Sequence, residues 1–127
     1  MSLPTYPKFQ KLFVGQQASV ERSFTLSDLE QWSLLAGLKE TTKNVPEPLI
    51  AGLFSFLLGM ELPGKGTNYL KQSLNFKDKA TTNETLLARV EITRLRPEKS
   101  LVNLTTICTG TNGRIICQGE ALVLFQC

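Results

Sequence analysis

The stretch over residues 48–76, PLIAGLFSFLLGMELPGKGTNYLKQSLNF, constrains this chain more than any other. An apolar segment of helical length breaks at Pro63-Gly64 and passes directly into an alternating strand. A helix that is apolar nearly all round must be wrapped by other structure, so a long apolar helix over about 48–61 packed on a sheet is predicted. Gly52, Ser55 and Gly59 approach helical spacing and would let a backbone or a ligand come close. Only Glu47 and Glu61 are acidic in or beside the run, and no His occurs anywhere in the chain.

The remaining segments supply the sheet. Residues 17–24, QASVERSF, alternate weakly as a first strand. Thr25 and Asp28, three apart, suit the cap of a helix through LSDLEQWSLLAG. Leu26, Leu29, Trp32 or Ser33, and Ala36 share one face of it, Gly37 is its stop, and Trp32 is expected as a core anchor. Residues 38–47, LKETTKNVPE, read as a short exposed loop. Pro46 or Pro48 fits the first turn of the following helix, where a missing N–H costs nothing.

Four further strands are predicted over 67–77, 85–96, 100–109 and 114–125. In the second, Leu86, Ala88, Val90 and Ile92 alternate with Leu87, Arg89, Glu91 and Thr93, the pattern of a half-buried strand with one wet face. The linkers 78–84 and 97–99 are short and polar and 110–113 is a tight turn, so consecutive strands can neighbour without long crossovers. The fold class is α+β: one domain over 1–127, with an antiparallel sheet curled round the apolar helix. The sheet's wet face then needs polar cover or a second subunit.

Composition removes several function classes. At 127 residues, 42% hydrophobic and 20% charged, the chain can bury a core without disulfides or metals. The net charge of +3 is spread over scattered cations rather than massed in a stripe, which argues against nucleic acid. Neither a signal-peptide pattern nor an apolar run long enough for a bilayer is present, so a cytoplasmic protein is expected. Cys108, Cys117 and Cys127 lack C-x-x-C spacing and any His to complete a metal set. Asn112-Gly113 is a strong hairpin signal. If the turn closes there, paired positions sum to 225 and Cys108 faces Cys117 as a small core hydrophobe rather than a redox partner.

These residues resemble the hot-dog fold and, within it, the MaoC-like (R)-specific enoyl-CoA hydratases. The resemblance begins with VGQQASVERSFTLSDLEQWSLLAG and is strongest in LLGMELPGKGTNYLKQSLNFK. It continues through ETLLARVEITRLRPEKSLVNLTTICT to GRIICQGEALV. It implies addition of water to a trans-2-enoyl-CoA by an Asp and a His spaced Asp-x-x-x-x-His, one taking a proton from water and the other delivering one to the α-carbon. A backbone N–H at a His-Gly-Met turn would polarise the thioester carbonyl. No cofactor is implied. The ligand is an acyl-CoA or an acyl carrier protein thioester. The assembly is a homodimer, or a heterodimer with an active hydratase-like subunit.

The sequence departs from the pattern where the chemistry lies. After Ala36-Gly37 it reads Leu38-Lys39-Glu40-Thr41-Thr42-Lys43-Asn44 and reaches the long helix about a dozen residues early. Pro46-Glu47-Pro48 stands in place of His-Gly-Met. The expectation is a hydratase-like protein without hydratase activity, acting as an acyl-thioester binding module or an inactive partner subunit. Its groove residues, carried over from matching motifs, are Leu49, Gly52, Phe56, Tyr69 and Gln72. Each also has a plain reading: core for Leu49 and Phe56, helix packing for Gly52, fold or dimer contact for Tyr69 and Gln72. One alternative is a thioesterase using Glu47 at the helix N-terminus, where the dipole favours an anion, with Glu40 a weaker carboxylate. Another is residual hydratase activity with residues supplied by a partner.

Overall fold

The strands expected from alternation are present within two residues of their predicted limits. The computed structural model describes residues 5–40 and 43–127. Its elements are α1 (Pro7–Gln10), β1 (Gln17–Arg22), α2 (Leu26–Leu35), α3 (Glu47–Phe56), a π-helical turn (Leu57–Glu61), β2 (Thr67–Phe76), β3 (Leu86–Arg96), β4 (Leu101–Thr109) and β5 (Ile115–Phe125). The five strands form one antiparallel sheet in the order β1-β3-β4-β5-β2.

The alternation decides which side of the sheet is dry. Leu86, Ala88, Val90 and Ile92 of β3 are completely buried, as are Val102 and Cys108 of β4 and Cys117 and Val123 of β5. Arg89, Glu91, Thr105 and Glu120 lie on the opposite, wet face. The π-helical turn touches β1, β2 and β3, and because β1 and β2 are the two edges of the sheet, the sheet must curl round the helix. Ile50, Phe54, Leu57 and Leu58 fill the space between.

Local chemistry sets the turns. The Thr25 Oγ1 accepts a hydrogen bond from the Asp28 N–H at 3.1 Å, and the Asp28 carboxylate accepts one from the Thr25 N–H at 2.8 Å. This reciprocal box starts α2 at the expected place. Asn112 and Gly113 both have positive φ, 61° and 73°, which is what a two-residue hairpin turn of the primed type requires. The ladder above the turn pairs Cys108 with Cys117 at the predicted register, and a bulge then sets Thr109 opposite Ile115.

Three expectations are corrected. Trp32 is half-buried and is not in the core; Leu29 and Ser33, four apart, form the buried stripe of α2, and Trp32, one position before Ser33, lies off that stripe. The loop before α3 is not wholly exposed: Val45 is buried and its N–H donates to the Ala80 carbonyl at 2.8 Å, while Thr41 and Thr42 lie outside the described residues. Finally, α3 is not wrapped all round. Gly52, Ser55, Phe56 and Met60 form an exposed side of the helix and its last turn. Among the described residues no helix is long and apolar enough to cross a membrane.

Candidate functional site

The exposed side of α3 faces a groove whose other wall is β1. Ala18, Val20 and Arg22 pair with Val90, Ala88 and Leu86, the buried positions of β3. Period two therefore carries Arg22 on the helix side of the sheet, at the end of an otherwise apolar row. There its guanidinium lies 4.9 Å from the centre of the Phe24 ring and 4.0 Å from the Asp28 carboxylate. Val20, Arg22, Phe24, Leu49, Gly52, Leu53 and Phe56 line a hollow of about 330 Å³. A second hollow, of about 220 Å³, shares Arg22, Phe24 and Leu49 and extends along α2 past Asp28, Gln31, Trp32 and Leu35.

Leu49, Gly52 and Phe56 are thus brought together in one groove. A Cβ added at Gly52 would meet nothing within 4 Å, so the glycine leaves the floor open rather than accommodating a neighbour. Tyr69 and Gln72 lie elsewhere. A bulge between Tyr69 and Lys71 lets positions 69 and 72 pair with Val123 and Ala121, both core-facing, so both side chains turn to the helix side of β2, the opposite edge of the sheet. Burial pushes the Tyr69 phenol above its ordinary value, opposed in part by a hydrogen bond from Ser55 of α3. The Gln72 Nε2 is buried without a hydrogen-bond partner. Glu47 sits exposed in the first turn of α3, and Glu40 is exposed on the preceding loop.

The titratable groups of the groove are few. Arg22 and Asp28 are the charged residues lining its two hollows. The Asp28 carboxyl is held below its ordinary value, first by the Thr25 backbone N–H, with the Thr25 hydroxyl and Arg22 adding to this against a partial desolvation. A general base working near neutrality needs a pKa near the operating pH, and Asp28 is tuned the other way. The Cys108 and Cys117 thiols are buried in the core and do not line the groove. Desolvation pushes Cys108 up to about 12 and Cys117 to about 11, reinforced for Cys108 by Cys117 and Glu84, and for Cys117 by Glu47. Among the described residues no three His, Cys, Asp or Glu side chains converge on a possible metal position.

An (R)-specific enoyl-CoA hydratase from Aeromonas caviae is 36% identical to this chain, over 90% of this chain and 96% of the relative. One from Rhodospirillum rubrum is 35% identical, over 91% and 90%. The chain belongs to the (R)-specific enoyl-CoA hydratase family. The solved structure of the Aeromonas caviae (R)-hydratase superposes with a TM-score of 0.83 over 91% of this chain and 98% of that one, at 35% identity. R-hydratase PhaJ1 from Pseudomonas aeruginosa superposes at 0.82, over 92% and 84%, with 27% identity. No protein-family model matches the chain.

As a member of this family the chain has the hot-dog fold that the resemblance implied, with α3 and its π-helical turn as the central helix. The groove between β1, α2 and α3 adds two residues not singled out from sequence, Arg22 and Phe24, and places Trp32 in its lining rather than in the core. The signal for Arg22 was available. It occupies the inward phase of QASVER, set by Ala18 and Val20, and a cation in that phase is the residue to ask about.

Proposed function

We propose that this hydratase-family chain binds an acyl thioester in the β1-α2-α3 groove without hydrating it, acting alone or as the inactive subunit of a pair. The observation that carries the reading is the absence of His from the whole sequence, so this chain supplies neither an Asp–His pair nor any imidazole to take its place. The carboxylate at the groove, Asp28, is committed to Thr25 and Arg22. Sequence comparison supports a shortened segment as well: the Aeromonas caviae relative is matched over 128 positions that take in only 90% of these 127 residues. More than ten positions of the relative therefore have no counterpart here.

In this reading Leu49, Phe56 and the open floor at Gly52 hold the acyl chain, and Arg22 meets the polar end of the ligand. Tyr69 and Gln72 serve the opposite edge. There β2 is an unpaired edge strand with exposed Tyr69 and Leu70, and unpaired edges invite a partner. A two-fold homodimer through β2 and the open side of α3 is the assembly proposed, with an active hydratase-like subunit as the alternative second chain. The binding claim is tested by thermal denaturation with a panel of acyl-CoAs. A ligand at a hundred times its Kd should stabilise by about 2.7 kcal/mol; an unchanged Tm across the panel would leave the chain a purely structural subunit.

A further inference from the structure

Seven residues between β2 and β3 hold both walls of the groove, and one buried carboxylate holds those seven. The linker over 78–84 lies between the segment leading into α3 and the end of β1. On one side the Val45 N–H donates to the Ala80 carbonyl at 2.8 Å, Asn44 bridges Thr81, and the Thr82 hydroxyl donates to the Lys43 carbonyl at 3.2 Å. On the other side the Asn83 N–H donates to the Phe24 carbonyl at 2.8 Å. Phe24 is a groove wall, and Val45 stands two residues before α3, which carries Leu49 and Gly52. The linker therefore ties the two walls to each other at this end of the groove.

Glu84 folds back into the linker and ties it down. One carboxylate oxygen accepts hydrogen bonds from the Thr81 N–H at 3.0 Å, the Thr81 hydroxyl at 3.3 Å and Arg114 at 3.0 Å. The other accepts from the Thr111 N–H at 2.8 Å and lies 2.9 Å from an Arg114 nitrogen. Arg114 in turn pairs with Asp78 at 2.7 Å and donates to the Lys79 carbonyl at 3.0 Å. The Glu84 side chain is 3% exposed. Gly110 makes room for it: a Cβ there would fall on the Glu84 carboxylate. The β4-β5 turn and the linker are thus locked into one piece by a carboxylate that no groove ligand touches.

We infer that Glu84 is a positioning residue of the groove, fixing Phe24 against the N-terminal end of α3 through residues 78–84. The inference rests on the groove being the binding site only for its ligand readout; the placement of the walls is read without ligand. The experiment compares wild type with Glu84→Gln by amide hydrogen exchange and by octanoyl-CoA titration of the fluorescence of Trp32, the single tryptophan. Exchange at Val45 and Asn83 should accelerate by about tenfold or more, with Ile92 and Leu104 in the sheet changed less than about twofold. The apparent Kd for octanoyl-CoA should rise about tenfold.

A uniform acceleration across all four amides, or wild-type exchange at Val45 and Asn83, overturns the inference. So does octanoyl-CoA binding at wild-type affinity despite a lowered Tm, which is what a merely structural residue gives. If wild type does not bind octanoyl-CoA, the binding proposal fails, and the exchange pattern still decides the role of Glu84. Should Glu84→Gln not accumulate folded, Glu84→Asp keeps the charge and shortens its reach. The same selective acceleration supports the inference, and its absence overturns it.

Discussion

The two faces of α3 are built from the same kind of residue and have opposite fates. Ile50, Phe54, Leu57 and Leu58 meet the curled sheet and are fully buried or nearly so, whereas Phe56 and Met60, just as apolar, are 45% and 52% exposed. The first set specifies the fold. The second contributes little to the packing of a single chain, and its apolar character fits the ligand proposed for the β1 side and the second subunit proposed for the β2 side. Apolar surface that a lone chain leaves open commonly marks interaction sites.

That contrast can be broken by mutation. Phe54→Ala, on the buried face, should destabilise by about 3–5 kcal/mol, read by chemical denaturation; a cost below about 1 kcal/mol would mean the two faces are not energetically distinct. Glu84→Gln should lower the local stability of the linker by about 1.4 kcal/mol, the equivalent of tenfold in exchange at Val45 and Asn83, since Arg114 loses its buried partner and the linker amides lose their acceptor. Its pH dependence has a definite sign. Hydrogen bonding by Arg114, with the Thr111 and Thr81 N–H groups adding to it against desolvation, holds the Glu84 carboxyl at about 2 rather than 4.5. The depressed pKa means this contribution is fully present above about 4.5 and is lost as the pH falls towards 2. The stability gap between wild type and Glu84→Gln should therefore narrow between pH 5 and pH 2.

On the open face the expected effects are smaller and can change sign. Gly52→Ala adds a methyl where nothing lies within 4 Å, so a single chain should gain about 0.5–1 kcal/mol from helix propensity, while octanoyl-CoA binding weakens because the groove floor is filled. A loss of stability instead would show that something already covers Gly52. Leu35→Ser, at a residue 88% exposed, should change stability by less than about 0.5 kcal/mol. Glu47→Gln should leave any release of free thiol from acyl-CoAs unchanged; its abolition would instead favour the thioesterase reading.

Much of the fold was legible because it depends on local periods. The inward row of β3 follows from strict alternation, and the Cys108–Cys117 pairing keeps the register that Asn112-Gly113 implies, although the bulge at Thr109–Ile115 departs from it. The strand order was not legible. That β1 neighbours β3 and β2 neighbours β5 is settled by how the sheet closes on α3, a long-range packing choice with no local signature. The Glu84 network was hidden for the same reason: Thr81, Thr111 and Arg114 come together only once the linker and the β4-β5 turn are adjacent. The open face of α3 was misread because an apolar helix surface looks the same in sequence whether its cover is the same chain, a ligand or a partner. Motif matches named Leu49, Gly52, Phe56, Tyr69 and Gln72 as one set, and the separate placement of Tyr69 and Gln72 depends on a bulge that alternation does not announce.

Binding of an acyl thioester without its hydration can be tested directly. One sample tests both halves: purified protein with crotonyl-CoA, followed simultaneously by loss of the enoyl absorbance and by Trp32 fluorescence. A saturable fluorescence change is expected, with no loss of absorbance above the protein-free rate. Rapid, enzyme-dependent loss of the enoyl band would contradict it.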